Sequence, residues 1–259
     1  MDALLAEIAK LFPKFDSTVG AGILIFVRLL AFASFAPVLC RKEMPSMIKV
    51  GFVFLLTISL TCVIKPNPLP ANNDLTLSIM LNTVAGAIMG YMARLILVAV
   101  DAGADMINMQ MGLSSAMVLD PATQKQVSIV EKLISMFGVI IFIYLGFIYW
   151  LFNAFMRSFD VFPIFATTIP LTELVNFDYL VKMTSNVLYM GLQIASPVLL
   201  ATLGQDIILG TISKTAPQVN VFQLSFLFKP VFGCAILIWI MPMLFNVISD
   251  YFLSFSKII

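Results

Sequence analysis

Three aspartates in apolar surroundings are the side chains of this sequence best placed for chemistry. Asp101 and Asp105 are one helical turn apart, and Asp206 lies inside a long apolar run. Two carboxylates that share a proton can activate water, so one hypothesis is an intramembrane aspartyl protease. The residues before Asp105, Gly-Ala, do not reproduce the Gly-x-Gly-Asp signature of those enzymes. Structural carboxylates at a helix end or in a helix contact are the favoured interpretation.

Other catalytic and metal-binding chemistry lacks the side chains that it needs. The chain has no histidine, which removes Ser-His and Cys-His nucleophiles, His-ligated zinc and haem. Cys40, Cys62 and Cys234 are scattered and indicate neither a disulfide framework nor a metal cage. A phosphate-binding glycine loop with Lys and Ser/Thr is also missing. We therefore expect no catalytic residue, no metal and no cofactor, and the net charge of +1 gives no reason to expect nucleic acid.

A methionine-rich segment follows the first two aspartates. It is too apolar for a solvent loop and too polar to span a membrane, and Asp120-Pro121 is expected to break a helix there. Irregular backbone at membrane depth is tolerated only where protein or a water-filled cavity satisfies its polar groups. Methionine is unbranched and soft, so a cluster of methionines can close around the contents of a passage and reseal. An interfacial loop tucked against a helix bundle is the alternative. The candidate sealing residues are Met106, Met109, Met111, Gly112, Leu113 and Met117.

Long apolar helices must position these residues. The chain is 61% hydrophobic and 11% charged, with a mean hydropathy of +1.03, well outside the balance of soluble domains. A helix needs about 20 apolar residues to cross roughly 30 Å of hydrocarbon. Four charge-free runs reach that length unaided, and a fifth, residues 50–64, needs its flanks; the four are residues 75–93, 133–156, 183–205 and 230–249. The sequence predicts an all-α membrane protein.

A sixth candidate span, residues 19–39, carries Arg28 near its middle. A central arginine costs about 2.5–3.5 kcal/mol on an insertion scale, which the surrounding apolar residues more than offset. Arg28 must then face protein or water. Residues 1–15 predict a short amphipathic helix without the basic start or cleavage site of a signal peptide.

The charges of the predicted loops do not select an orientation. Counted for six spans, Lys and Arg are nearly equal on the two sides, whereas the positive-inside rule needs an excess on one. Either one span is miscounted, or the helices pack into an assembly that takes the place of the bilayer.

The C-terminal third predicts a helical hairpin. Residues 183–213 form a helix about 46 Å long at 1.5 Å per residue, in which Pro197 is expected to cause a kink. A polar turn and a second apolar helix follow. Such a tip is more often a docking surface than a reaction site. The residues expected to contact another subunit there are Lys214, Gln218, Asn220 and Lys229.

In these segments the chain resembles the FliR proteins of the flagellar type III export gate and their injectisome counterparts. The most specific matches are Met-Gly-Leu-Ser-Ser-Ala at residues 111–116 before Asp120-Pro121, Ala-Ser-Pro at 195–197, Ala-Pro-Gln-Val-Asn at 216–220, and Leu-Ser-Phe at 224–226 before Lys229. Residues 197–229 are also similar to FliQ, a smaller subunit of the same gate. The resemblance covers essentially the full length, but no residue role before Arg94 is carried over.

The resemblance implies a single copy of this chain beside several FliP and FliQ subunits, as stacked helical hairpins around a channel. Residues 1–182 would be FliP-like and residues 183–259 a FliQ-like hairpin. Residues 106–117 would close the channel, and the hairpin tip would lie toward the cytoplasm near an FlhB homologue. The implied setting is the bacterial inner membrane at the flagellar basal body, with lipid and unfolded export substrates as further partners and no enzymatic activity.

Two other classes of function stay open. A proton-coupled secondary transporter of small solutes would use an aspartate as its titrating group and would predict two related halves, but no convincing repeat relates residues 1–130 to 131–259. A structural scaffold differs from a gate subunit only in whether the methionine segment faces a passage. Arg28, Arg94 and the pair Arg157 and Asp160 are interpreted as structural charges or as contacts that lock neighbouring subunits.

Overall fold

The computed structural model describes residues 15–39, 45–64, 75–113, 118–119, 126–127, 129–165 and 177–256. Within these ranges lie seven α-helices and a ribbon of two short antiparallel strands: α1 Phe15–Phe35, α2 Ser46–Val63, α3 Leu75–Gln110, β1 Val118–Leu119, β2 Gln126–Val127, α4 Ile129–Tyr144, α5 Phe147–Val161, α6 Phe177–Thr215 and α7 Val221–Ser256. The predicted all-α class is confirmed, with the two-residue strands as the exception. The helix predicted over residues 1–15 lies, except for its last residue, outside the described part.

Five of the described helices, α1, α2, α3, α6 and α7, are long and apolar enough to cross a membrane. Helices α3 and α7 contain 36 residues and α6 contains 39. At 1.5 Å per residue they measure about 54–59 Å, far more than the roughly 30 Å of a hydrocarbon core. The predicted spans were shorter because they stopped at charged residues. Helices α3 and α7 instead continue through Arg94 and Lys229, and α6 continues through Asp206, as does the helix predicted over residues 183–213.

The predicted span over residues 133–156 is wrong as a single helix. Helix α4 ends at Tyr144, α5 begins at Phe147, and the two are bent by 65°. Between them Gly146 has a φ of +74°, where a side chain costs about 1–2 kcal/mol. The Gly146 N–H donates to the Ile143 oxygen over 3.0 Å, and the Gly146 oxygen accepts from the Tyr149 N–H over 3.0 Å. One glycine thus ends one helix and starts the next.

Two compact units divide the chain. The first unit holds the chain up to Arg94 and residues 151–180, and the second holds residues 95–150 and 181–259. Helices α1 and α2 therefore belong to the first unit, and α4 and α7 belong to the second. The predicted division into residues 1–182 and 183–259 rests on likeness to FliP and FliQ and stays a prediction.

A buried arginine organises the first unit. Arg28 on α1 has no exposed surface, so the prediction that it faces protein or water is confirmed. Its Nε donates to Asn82 Oδ1 of α3 over 2.8 Å. Its Nη1 and Nη2 donate to the backbone oxygens of Ser158, over 3.3 Å, and Phe162, over 3.0 Å, at the C-terminal end of α5. Its Cζ also lies 4.5 Å from the centre of the Phe159 ring. The helix-end carbonyls and the ring face stabilise the positive charge.

The second unit is held together by glycine contacts and aromatic rings. A Cβ at Gly103 of α3 would lie 2.9 Å from the Gly191 oxygen of α6. This spacing brings the two helix backbones together as small residues do in membrane helix pairs. Helices α4 and α7 meet through Phe142 and Phe252, whose ring centres are 5.8 Å apart in an edge-to-face arrangement.

Candidate functional site

The methionine segment begins as the last turns of a helix. Helix α3 continues through Asp101 and Asp105 to Gln110, so Met106 and Met109 are helical. Gly112, with a φ of +70°, follows directly. The helix therefore ends well before Asp120-Pro121, where the sequence placed the break. Met117 and Asp120-Pro121 lie outside the described residues.

The described methionines of this segment occupy different environments. Met109 is 62% exposed, whereas Met111 has no exposed surface. Met106, Gly112 and Leu113 are half-buried. The sequence predicts a single cluster of methionines. In the structure the Met109 side chain is exposed, whereas the Met111 side chain is enclosed.

Met111 packs against Gly233 of α7. A Cβ added at Gly233 would lie 2.6 Å from Met111 Cγ, 2.9 Å from its Cε and 3.2 Å from its Sδ. Real Cβ contacts are almost never shorter than 3.0 Å. Gly233 therefore provides the space that the Met111 side chain fills, a contact that sequence reasoning missed.

Asn108 is a second residue that sequence reasoning missed. Both polar atoms of its side-chain amide are buried, and neither has a hydrogen-bond partner among the residues that the structure describes. Asn108 lies four residues after Ala104 and three before Met111, both wholly buried. That helical spacing is the signal that could have placed Asn108 on the buried face of α3.

The hairpin tip is compact and exposed. Helix α6 ends at Thr215 and α7 begins at Val221. The Asn220 Oδ1 accepts the backbone N–H of Gln223 over 3.3 Å, which is the geometry of a helix N-cap. Lys214, Gln218 and Asn220 are all exposed, so these candidate contact residues are brought together at one end of the hairpin.

Lys229 lies below the tip and pairs within the chain. Its Nζ is 2.7 Å from Asp206 Oδ1 of α6, with 22% and 37% of the two side chains exposed. The ion pair joins the two helices of the hairpin. The pair also gives a cationic partner to Asp206, one of the aspartates that could titrate in a proton-coupled transporter. Pro197 lies inside α6, which is helical on both sides of it, and the predicted kink there stays a prediction.

Neither of the other two candidate aspartates is buried. Asp101 is exposed and Asp105 is half-buried. Among the described residues, no three Cys, Asp or Glu side chains gather as metal ligands would. The site is therefore best described as a packing arrangement of the α3 end against the C-terminal hairpin.

Comparison with known proteins gives matches over most of the chain. The family model of the bacterial export proteins, family 1, matches residues 19–255. The flagellar biosynthetic protein FliR of Bacillus subtilis (strain 168) is 26% identical over 254 residues, which cover 95% of this chain and 93% of that protein. FliR of Escherichia coli (strain K12) is 26% identical over 219 residues, covering 84% and 83%. The surface presentation of antigens protein SpaR of Shigella flexneri is 27% identical over 124 residues, covering 48% and 46%.

The family match begins within α1 and ends in the last turn of α7. It includes the methionine segment, Gly233 and the hairpin up to residue 255. The resemblance to the FliR family that the sequence motifs indicated is confirmed. The chain belongs to the bacterial export proteins, family 1.

Proposed function

We propose that this chain is a subunit of the flagellar type III export gate, which with FliP and FliQ homologues forms and seals a channel for unfolded flagellar proteins. The observation that carries the proposal is the family match over residues 19–255. The relatives' names, flagellar biosynthetic protein FliR and SpaR, support an export apparatus of this class. The apolar helices support a place in a membrane, which we propose is the bacterial inner membrane at the basal body.

The exposed apolar surface supports assembly with other subunits. Only 11% of the α2 span is buried within the chain, and 28% of the α7 span. Apolar helices with so small a buried fraction need lipid or neighbouring helices to cover their exposed side chains. We propose that FliP-like and FliQ-like neighbours cover much of this surface, with residues 1–182 and 183–259 as the FliP-like and FliQ-like parts.

Residues 106–117 are proposed to seal the closed channel. Met109 supports this because a large apolar side chain is 62% exposed at the end of α3. An unbranched thioether can fill an irregular gap and move aside when a chain passes. The hairpin tip, with Lys214, Gln218 and Asn220 exposed, is proposed to contact an FlhB homologue. Lys229 would support this contact indirectly, through its ion pair with Asp206.

The seal is tested by truncating the methionines. Met109, Met111 and Met117 are replaced together with alanine, and the leak of small ions across the cell membrane is measured in cells that assemble the complex. We expect a severalfold higher leak because alanine leaves gaps that methionine filled. Met47→Ala is the matched control, since Met47 is 87% exposed on α2, outside the segment. An unchanged leak in a fully assembled complex would contradict the sealing role.

A further inference from the structure

We propose that Gly233 is a seat for Met111, and that this contact is a latch that holds the described part of the sealing segment, residues 106–113, closed against α7. The proposal rests on the sealing role proposed above and assigns different roles to two of its methionines. Met111 anchors the segment, and Met109 is the methionine that reaches the passage.

The latch lies where the segment leaves its helix. The Met111 N–H donates to the Ile107 oxygen over 3.0 Å, as the last full turn of α3 requires. The next residue, Gly112, turns the chain with a φ of +70°, and its N–H donates to the Met109 oxygen over 3.1 Å. Met111 therefore lies at the point where α3 ends and the chain turns.

The seat is specific to one side chain. The three heavy atoms nearest to a Cβ at Gly233 all belong to Met111, at 2.6, 2.9 and 3.2 Å. On α6, by contrast, a Cβ at Gly204 or Gly210 would meet nothing within 4 Å. Because Met111 has no exposed surface, it has little free volume into which it could retreat.

The hairpin determines where the seat lies. Gly233 follows Lys229 by one helical turn, and Lys229 is joined to Asp206 of α6 over 2.7 Å. Helix α7 is helical from the hairpin tip at Val221 through Gly233 to Ser256. A shift of α7 along or away from α3 therefore withdraws the seat from Met111. In this way a contact at the hairpin would release the seal.

The latch is tested by filling the seat. Gly233→Ala is introduced into the full chain, expressed with its neighbouring subunits, and the small-ion leak of cells is measured next to co-purification of the complex in mild detergent. We expect the leak to rise about tenfold, equivalent to about 1.4 kcal/mol, which lies within the usual effect of overpacking a core. Gly204→Ala is the matched control and is expected to leave the leak unchanged.

The double variant Gly233→Ala with Met111→Ala gives the decisive comparison. If the two residues act only through their contact, the double variant leaks as much as Met111→Ala alone. Should Gly233→Ala fail to assemble, the latch predicts that Met111→Ala restores assembly, because it removes the obstructing atoms. The latch would be overturned by a Gly233→Ala complex that assembles without a higher ion leak. It would also be overturned if the leaks of the two single variants added up in the double variant, or if Met111→Ala did not restore assembly.

Single variants separate the latch from the seal. If the Met109→Ala complex raises the ion leak and the Gly233→Ala complex does not, the sealing role stands and the latch is wrong. If the variant with Met109, Met111 and Met117 all replaced by alanine also assembles without a higher leak, the sealing role itself is wrong.

Discussion

Two buried asparagines of this chain meet opposite surroundings. The Asn82 oxygen accepts from Arg28, and its amide nitrogen donates to the backbone oxygens of Ser78, over 2.7 Å, and Ile164, over 3.0 Å. The polar atoms of Asn108 have no partner among the described residues. A buried amide without hydrogen bonds is destabilising because its lost hydration is not replaced. Among the described residues, the same residue type is fully hydrogen-bonded in the first unit and has no hydrogen-bond partner in the second.

Leucine at these two positions should change stability in opposite directions. We expect Asn108→Leu to raise the free energy of unfolding by about 1–3 kcal/mol, since leucine has no polar atoms to desolvate. We expect Asn82→Leu to lower it by about 3 kcal/mol or more, because Arg28 loses a buried acceptor. Thermal unfolding of the purified protein in mild detergent measures both. Equal destabilisation by the two substitutions would show that Asn108 is bonded in the native protein.

The surroundings of single residues were only partly predictable. The energy of burying a charge predicted that Arg28 faces protein or water, whatever the fold. Its partners could not be predicted, because Asn82 and Phe162 are brought to α1 only when distant helices pack. Met111 is a similar case. Its type and segment indicated a role, but its burial depends on Gly233, whose lack of a side chain carries no signal until the two helices meet.

At the level of elements, the break between α4 and α5 depends on one glycine. Gly146→Ala places a side chain at a φ of +74° and is expected to destabilise the protein by about 1–2 kcal/mol. Gly210→Ala is the control, since Gly210 lies within α6 with open space around it. Alanine there is expected to raise the free energy of unfolding by about 0.5–1 kcal/mol. Thermal unfolding in detergent compares the two. A neutral Gly146→Ala would indicate that the bend does not need the positive φ.

The helices themselves were predictable from hydrophobicity, but their ends were not. Charged residues set the ends of the predicted spans near Arg94 and Lys229, whereas the helix predicted over residues 183–213 already continued through Asp206. The helices continue because each charge is accommodated without unwinding: Arg94 is exposed, and Asp206 pairs with Lys229. At Gly146 the opposite error occurred. The sequence predicted a continuous span because the residues on both sides are apolar, but the helix breaks there. Charge and hydrophobicity report the environment of a helix more directly than its length.

At the level of the whole molecule, the chain leaves a large apolar surface for others to cover. Along α2 the side chains of Met47, Leu55 and Val63 are 87%, 66% and 68% exposed, and only Val53 and Thr57 are buried. Trp239 on α7 is 83% exposed. A monomer surrounded by lipid and a subunit surrounded by helices would both satisfy these side chains, but the proposed function requires the second.

Intact-complex mass measurement after gentle extraction distinguishes the two arrangements. We expect the chain to be recovered in one complex with FliP-like and FliQ-like proteins, because the apolar faces of α2 and α7 are expected to bind helices rather than detergent. Mutating Leu55 and Val63 together to serine is expected to reduce recovery of the complex severalfold. A stable monomer that moves a small solute would instead support the proton-coupled transporter.

The class of protein and its family were accessible from sequence, and the internal arrangement was not. Composition and apolar runs predicted a helical membrane protein, and a few motifs between residues 111 and 229 were specific enough to indicate the family. The division into two units was not foreseen, because residues 151–180 join the chain up to Arg94 only through tertiary contacts such as those of Arg28. Such contacts leave no periodic pattern in the sequence.

The lengths of α3, α6 and α7 have a consequence for how this chain responds to its membrane. Each is nearly twice as long as the hydrocarbon layer is thick, so no modest tilt or thickening of lipid could accommodate the overhang. Water or protein must surround what the bilayer cannot reach. Hydrophobic mismatch, which sorts ordinary membrane proteins among bilayers of different thickness, would then have little influence on its depth. Sister helices, and not acyl chain length, would set its vertical position.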